Sequence, residues 1–210
     1  MALKKHILHL LYFIFMFSYG QETESDEYFS KIEMNKRFVE LLYCGNKSHF
    51  TVRIDGKKIE EVEIEGDTDI ENNKHFIAVD NTIIQSMIIP IPNYLKKFNS
   101  TDEEKVLDGY LTYELKFIKN ELNANISDAL MMPGNFQSRK YILWKYKLTD
   151  NININDGETV KGQIHISTVC FDQILTLSIP IMDLSMENKY KRKLVKIARQ
   201  ITMNEKRCEK

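Results

Sequence analysis

The sequence predicts an α+β domain: an antiparallel sheet of about six strands with two long helices packed on it, close to an α/β/α sandwich. Three observations predict it. Short runs of alternating apolar residues are separated by tight-turn pairs, the mark of antiparallel hairpins. Two longer stretches, near residues 103–122 and 186–203, repeat apolar side chains at helical spacing. The chain is 43% hydrophobic and 28% charged over 210 residues, enough to bury a core without help from metals or many disulfides.

The first element is a leader. Lys4 and Lys5 make a short positive region, Ile7 to Phe17 form an apolar run interrupted by His9, and Ser18, Tyr19 and Gly20 lead into a polar stretch. This order predicts a secretory signal peptide over residues 1–20, cut after Gly20, and a protein that is exported, either periplasmic or secreted. The apolar run falls short of the roughly 20 residues that span a bilayer, so membrane contact is expected only if the leader stays uncut.

Residues 21–36 are acidic and polar and read as a flexible lead-in. A single α+β domain over residues 37–203 comes next. Residues 37–43 (RFVELLY) read as a strand or a short helix. Phe50, Val52 and Ile54 alternate, Asp55-Gly56 comes after them, and Ile59, Val62 and Ile64 resume, which predicts a hairpin. Residues 75–79 and 82–91 form a second hairpin turning at Asp80-Asn81, and its apolar second strand is expected to be covered on both faces. Ser100 or Thr101, with Glu103 and Glu104 three residues on, gives a capping box for the first helix. Leu107, Leu111, Leu115, Ile118 and Leu122 mark its inner face, widened by Val106, Tyr110 and Phe117. Residues 123–135 break the pattern, with Pro133-Gly134 as punctuation. Strands at 140–148, 159–169 and 174–181 make a meander with a tight turn at Cys170-Phe171-Asp172. Ser185 is read as the cap of a last helix running to about Met203. Its Tyr190, Leu194, Ile197, Ala198 and Ile201 face inward, and Lys191, Arg192, Lys193, Lys196 and Arg199 face water. Residues 204–210 form a charged tail.

Charge and motifs exclude several classes of function. The formal net charge is -1, and losing the leader's Lys4 and Lys5 takes it to -3. Such a chain lacks the basic field that nucleic acid requires, so no nucleic-acid partner is expected. No G-x-S-x-G, Walker, H-E-x-x-H or dinucleotide-binding pattern is present, and no cofactor is expected. The mature histidines His49, His75 and His165 are widely spaced, with no ligand frame, and read as solvent-facing strand residues rather than metal ligands. Glu60, Glu61, Glu63 and Glu65 alternate with Val62 and Ile64 as a solvated strand face, not a calcium loop. Cys44, Cys170 and Cys208 in an oxidising compartment imply one disulfide and one leftover thiol, with Cys44 joined to Cys170 or to Cys208. A nucleophilic Cys170 would need a base beside it, and His165 is the nearest histidine in sequence.

The strand Tyr141-Ile142-Leu143-Trp144-Lys145-Tyr146 and the run Leu175-Thr176-Leu177-Ser178-Ile179-Pro180 before the last helix carry a resemblance. With the order of elements over residues 74–203, the chain resembles the PsbP-like and DcrB-like exported domains, and in overall look the envelope proteins of Gram-negative bacteria. The resemblance implies an antiparallel sheet covered by helices on both faces and an accessory or binding role, with no family catalytic residues to transfer. The expected function is therefore an exported, non-enzymatic accessory or binding protein of the cell envelope, whose partner is an envelope protein or a small ligand. The alternative is a hydrolase whose site is assembled only in the fold.

Overall fold

The computed structural model describes residues 28–62, 74–99, 102–120, 125–136, 138–154 and 158–208. The leader and Ser100 and Thr101 lie outside them. In chain order the elements are β1 (Phe29–Met34), β2 (Phe38–Cys44), β3 (His49–Asp55), β4 (Ile59–Glu61), β5 (Lys74–Val79), β6 (Thr82–Pro90), α1 (Asn93–Asn99) and α2 (Glu103–Asn120). They continue with β7 (Ile126–Phe136), β8 (Arg139–Ile154), β9 (Glu158–Cys170), β10 (Gln173–Ile181), α3 (Glu187–Ala198) and β11 (Ile201–Asn204).

The class is α+β and every strand pairing is antiparallel, but the strands form two sheets rather than one. A four-stranded sheet runs β1-β2-β3-β11, and a seven-stranded sheet runs β4-β5-β6-β10-β9-β8-β7. Val39, Leu41, Phe50, Val52 and Ile54 of the small sheet pack with Ile77, Ile84, Leu177 and Ile179 of the large one, together with Leu194 and Ile197 of α3. The opposite face of the large sheet takes α1 and α2 through Leu95, Val106, Leu107, Leu111 and Ile118 against Met87, Ile89, Ile142 and Ile174. The large sheet is thus a middle layer, which is why β10 is buried at all nine positions.

Local chemistry explains the agreements. Asp80 and Asn81 take positive φ of 51° and 63°, the backbone that a two-residue hairpin between β5 and β6 requires. Phe171 at φ 59° closes the β9–β10 hairpin where the sequence placed a tight turn. At α2 the cap is instead Asp102, whose Oδ1 accepts from the Lys105 backbone N–H at 3.2 Å, while the expected caps Ser100 and Thr101 lie outside the described residues.

The differences have physical reasons too. Residues 37–43 resolve as strand β2. Asp55-Gly56 does not close a hairpin, because β3 pairs with β2 and β11 while β4 pairs with β5. It is the corner where the chain crosses between sheets. Asp80 Oδ1 captures the backbone N–H groups of Lys57 and Lys58 at 2.9 and 3.0 Å, and a Cβ on Gly56 would run into Val79. β1 lies inside the stretch read as a lead-in, held by six main-chain pairs to β2. β7 occupies the stretch read as a break; as the last strand of its sheet it tolerates Pro133, which has no N–H to give. The final helix ends at Ala198, and residues 201–204 leave it to pair with β3. Ser185 does not cap this helix: Asp183 caps a 3-10 turn over Leu184–Met186, accepting from the Ser185 backbone N–H at 2.9 Å, and Met186 at the start of α3 makes no side-chain cap bond. Among the described residues no helix is long and apolar enough to cross a membrane.

Candidate functional site

The register of the large sheet builds a polar belt beneath α2. Trp144 of β8 stands opposite His165 of β9, which stands opposite Ser178 of β10, which stands opposite Gln85 of β6. Tyr146 and Gln163 flank that row on one side, Ser167 and Thr176 on the other. From above, α2 lowers Tyr110 and Glu114 onto it. Each of these side chains is at most 2% exposed. His165 stacks on Trp144 with ring centroids 3.8 Å apart and planes 7° from parallel. Trp144 Nε1 donates to Ser167 Oγ at 3.0 Å, and Ser167 Oγ lies 2.9 Å from Thr176 Oγ1. Tyr146 OH donates to Gln163 Oε1 at 2.9 Å, and Ser178 Oγ donates to Gln85 Oε1 at 3.1 Å. The Nε2 groups of Gln85 and Gln163 have no hydrogen-bond partner among the described residues.

Burial favours the neutral forms of the belt's histidine and tyrosines. Burial pushes the His165 pKa down to about 3. Burial first, and the charge of Glu114 second, raise the Tyr110 and Tyr146 hydroxyls above their ordinary range. His165 and the two tyrosines of the belt are therefore neutral near pH 7. His165 is not the solvent-facing residue expected, because α2 covers the face on which it stands.

The other candidates lie elsewhere. His75 Nε2 is 2.7 Å from Ser30 Oγ, a half-buried pair joining β5 to β1, and burial lowers the His75 pKa to about 4. Close by, Tyr43 OH lies 2.7 Å from Ser86 Oγ. His49 Nδ1 is 2.6 Å from the Lys206 carbonyl oxygen. The three histidines are thus on three different strands. Among the described residues no three His, Cys, Asp or Glu side chains gather as metal ligands. Glu60 of the acidic run is 3.5 Å from Lys58 Nζ, while Glu63 and Glu65 lie outside the described residues.

The cysteine arithmetic resolves to one of the two pairings left open. Cys44 is bonded to Cys208, with Cα atoms 5.8 Å apart, and not to Cys170. The tail that carries Cys208 runs from β11 back to the end of β2, whereas Cys170 is buried at the far end of β9 as the free thiol. Burial pushes that thiol up to about 12, so it stays protonated and poorly nucleophilic.

A shallow cleft lies on the other side of the large sheet, between the tip of the β7–β8 hairpin and the last turn of α3. Phe136, Arg139, Tyr141, Thr168, Val195, Ala198 and Arg199 line it. Two cations of α3 are engaged elsewhere: Lys193 Nζ donates to the Val79 carbonyl at 2.7 Å, and Lys196 Nζ is 3.6 Å from Asp55.

Sequence reasoning missed the belt. Its signal was present: Glu114 falls within the apolar stripe of α2, one turn from Tyr110 and Ile118, and Gln163, His165 and Ser167 alternate with apolar residues in a strand covered on both faces.

No protein-family model and no curated protein matches the sequence. The fold is similar to the solution structure of cyanobacterial PsbP (CyanoP) from Synechocystis sp. PCC 6803, with a TM-score of 0.46 and 9% sequence identity, covering 88% of this chain and 98% of that one.

Proposed function

We propose that the chain is an exported, non-enzymatic accessory protein of the cell envelope that works by binding a partner protein. One observation carries the reading. β7 is the last strand of the large sheet, with β8 as its only neighbour among the described residues, and it exposes Leu130 at 44% and Met131 at 48%. The bulge between Ser127 and Leu130 guards one end of this edge and Pro133 the other, leaving a short window where a partner's strand can add. The leader supplies the address, and a disulfide between Cys44 and Cys208 suits an oxidising compartment.

The test compares tagged full-length protein with the Leu130→Asp/Met131→Asp variant, each purified from gently solubilised envelopes of the native host. The expected result is a stoichiometric partner retained by the wild type and lost by a variant with unchanged circular dichroism. Equal recovery by both, or no stoichiometric partner, overturns the reading. The mass of the recovered chain reports the leader in the same experiment: cleavage after Gly20 leaves Gln21 first.

One observation favours the hydrolase alternative. Ser30 Oγ at 2.7 Å from His75 Nε2 is the spacing of a nucleophile and its base, although burial lowers the imidazole pKa to about 4 and so weakens it as a base near pH 7. A fluorophosphonate probe decides the point. Covalent labelling of Ser30 that is abolished by His75→Gln moves the assignment to hydrolysis, and an unlabelled Ser30 leaves the pair as a structural tie between the two sheets.

A further inference from the structure

The cleft at the tip of the β7–β8 hairpin holds two guanidinium groups, those of Arg139 and Arg199, that have no carboxylate partner among the described residues. Arg199 caps α3 and lays its guanidinium over the Phe136 ring, 4.9 Å from the centroid. A stacked guanidinium keeps its edge N–H groups free for a coplanar acceptor while its face is held by the ring. Arg139, half-buried at the start of β8, gives one Nη1 N–H to the Ile201 carbonyl at 3.4 Å. That leaves most of its five donors unused. Two acids at the start of α2 are drawn to Lys140: Glu104 lies 3.7 Å from Lys140 Nζ, and Glu103 Oε2 accepts from the Lys140 backbone N–H at 3.5 Å. Among the described residues neither Arg139 nor Arg199 is paired with a carboxylate. Between the two cations the lining is mostly apolar, with Thr168 the one polar residue. Tyr141 lies across β7 at Gly134, where any Cβ would run into its ring, and Val195 and Ala198 continue the floor.

We infer that this cleft is a binding site for a small carboxylate carried on a flat apolar body. The carboxylate takes the free N–H edges of Arg139 and Arg199, and the body lies against Tyr141, Val195 and Ala198. Each guanidinium presents paired N–H donors that match the two oxygens of a carboxylate, which a lysine ammonium cannot reproduce. The apolar lining selects against a compact inorganic anion, which has no surface to bury.

The experiment titrates the isotopically labelled mature protein with benzoate, benzamide and inorganic phosphate, and tracks backbone amide shifts by NMR. Benzoate is expected to shift residues 136, 139–141 and 195–199 saturably, with benzamide and phosphate far weaker. Arg139→Lys and Arg199→Lys, each with a wild-type spectrum away from the cleft, are expected to weaken benzoate about tenfold or more. Phe136→Leu, which removes the ring under Arg199 without touching charge, should weaken it as well. The inference is overturned by an absence of saturable shifts, by benzamide binding as well as benzoate, or by lysine variants that bind undiminished. Phosphate matching benzoate overturns the flat-body assignment. The site is separate from the exposed window of β7: failure here leaves the partner reading standing, and loss of that partner leaves the cleft untouched.

Discussion

His165 stacks on Trp144 in the middle of the large sheet, and burial holds its pKa near 3 against an ordinary 6.5. His75, tied to Ser30, is held near 4 by the same cause. Both values are depressed, so folding favours the neutral rings. Their contribution is complete above pH 6.5, where the unfolded chain is also neutral, and is lost as pH falls from 6.5 through 4 toward 3. Asp55, Asp80 and Asp183 are held below the ordinary carboxylate value of 3.8, so their stabilisation fades only under that pH. In the window between pH 6.5 and 4 the histidines therefore lower stability as pH falls, while Asp108, whose carboxyl is raised above 3.8 first by burial, works in the opposite sense. The melting temperature is expected to be flat above pH 7 and to fall through that window. His165→Phe keeps a flat ring against Trp144 and should make the fall shallower; an unaltered slope would show that His165 does not carry it. At this scale the sequence is hard to read for one reason. A polar residue alternating with isoleucine looks solvent-facing until the element that covers it is known.

Among the elements, those with local signals were legible. The β5–β6 turn is written in Asp80-Asn81, which adopt positive φ at both positions, and the inner stripe of α2 is written in Val106, Leu107, Tyr110, Leu111, Phe117 and Ile118, all buried. β1, β7 and β11 were not legible, because each is an edge or terminal strand held by main-chain pairing, with most of its side chains exposed. β11 has four residues and one strand neighbour, β3, so its hold on the sheet depends on the tail beyond it. The Cys44–Cys208 bond closes a segment of 164 residues and anchors that tail. Loop closure of that length restricts the unfolded chain strongly, and removing such a bond typically costs about 2–5 kcal/mol. Cys44→Ala/Cys208→Ala is expected to lose stability in that range by urea unfolding. Hydrogen exchange should show amide protection falling first at residues 201–204 and least in β9 and β10. Equal loss across both sheets would mean that the bond does not act through β11.

At the scale of the whole molecule, the two-sheet architecture was hidden because sheet membership is decided by partners far apart in sequence. Asp55-Gly56 carries a good hairpin signature, yet β3 finds β11 about 150 residues later, with Ile201 opposite Val52. Once the sheets separate, the large one is shared by two apolar cores, one with the small sheet and α3 and one with α1 and α2. Both cores hang on alternate side chains of the same strands: Leu177 and Ile179 point to one, Ile174 to the other. Detaching either layer strips one face of β6, β10, β9 and β8, whose buried area is the main stabilising term. The cores are therefore expected to fail together, in one cooperative transition. Trp144, the single tryptophan, is fully buried on the α2 side and reports that core by fluorescence, while far-UV circular dichroism reports the strands of both sheets. Phe50→Leu cuts into the other core, against Tyr43 at 5.0 Å. The two signals are expected to coincide in urea, and Phe50→Leu should lower both midpoints by the same amount although it lies across the sheet from Trp144. A fluorescence midpoint that stays put while the dichroism midpoint falls would mean that the α1–α2 layer holds the large sheet together on its own.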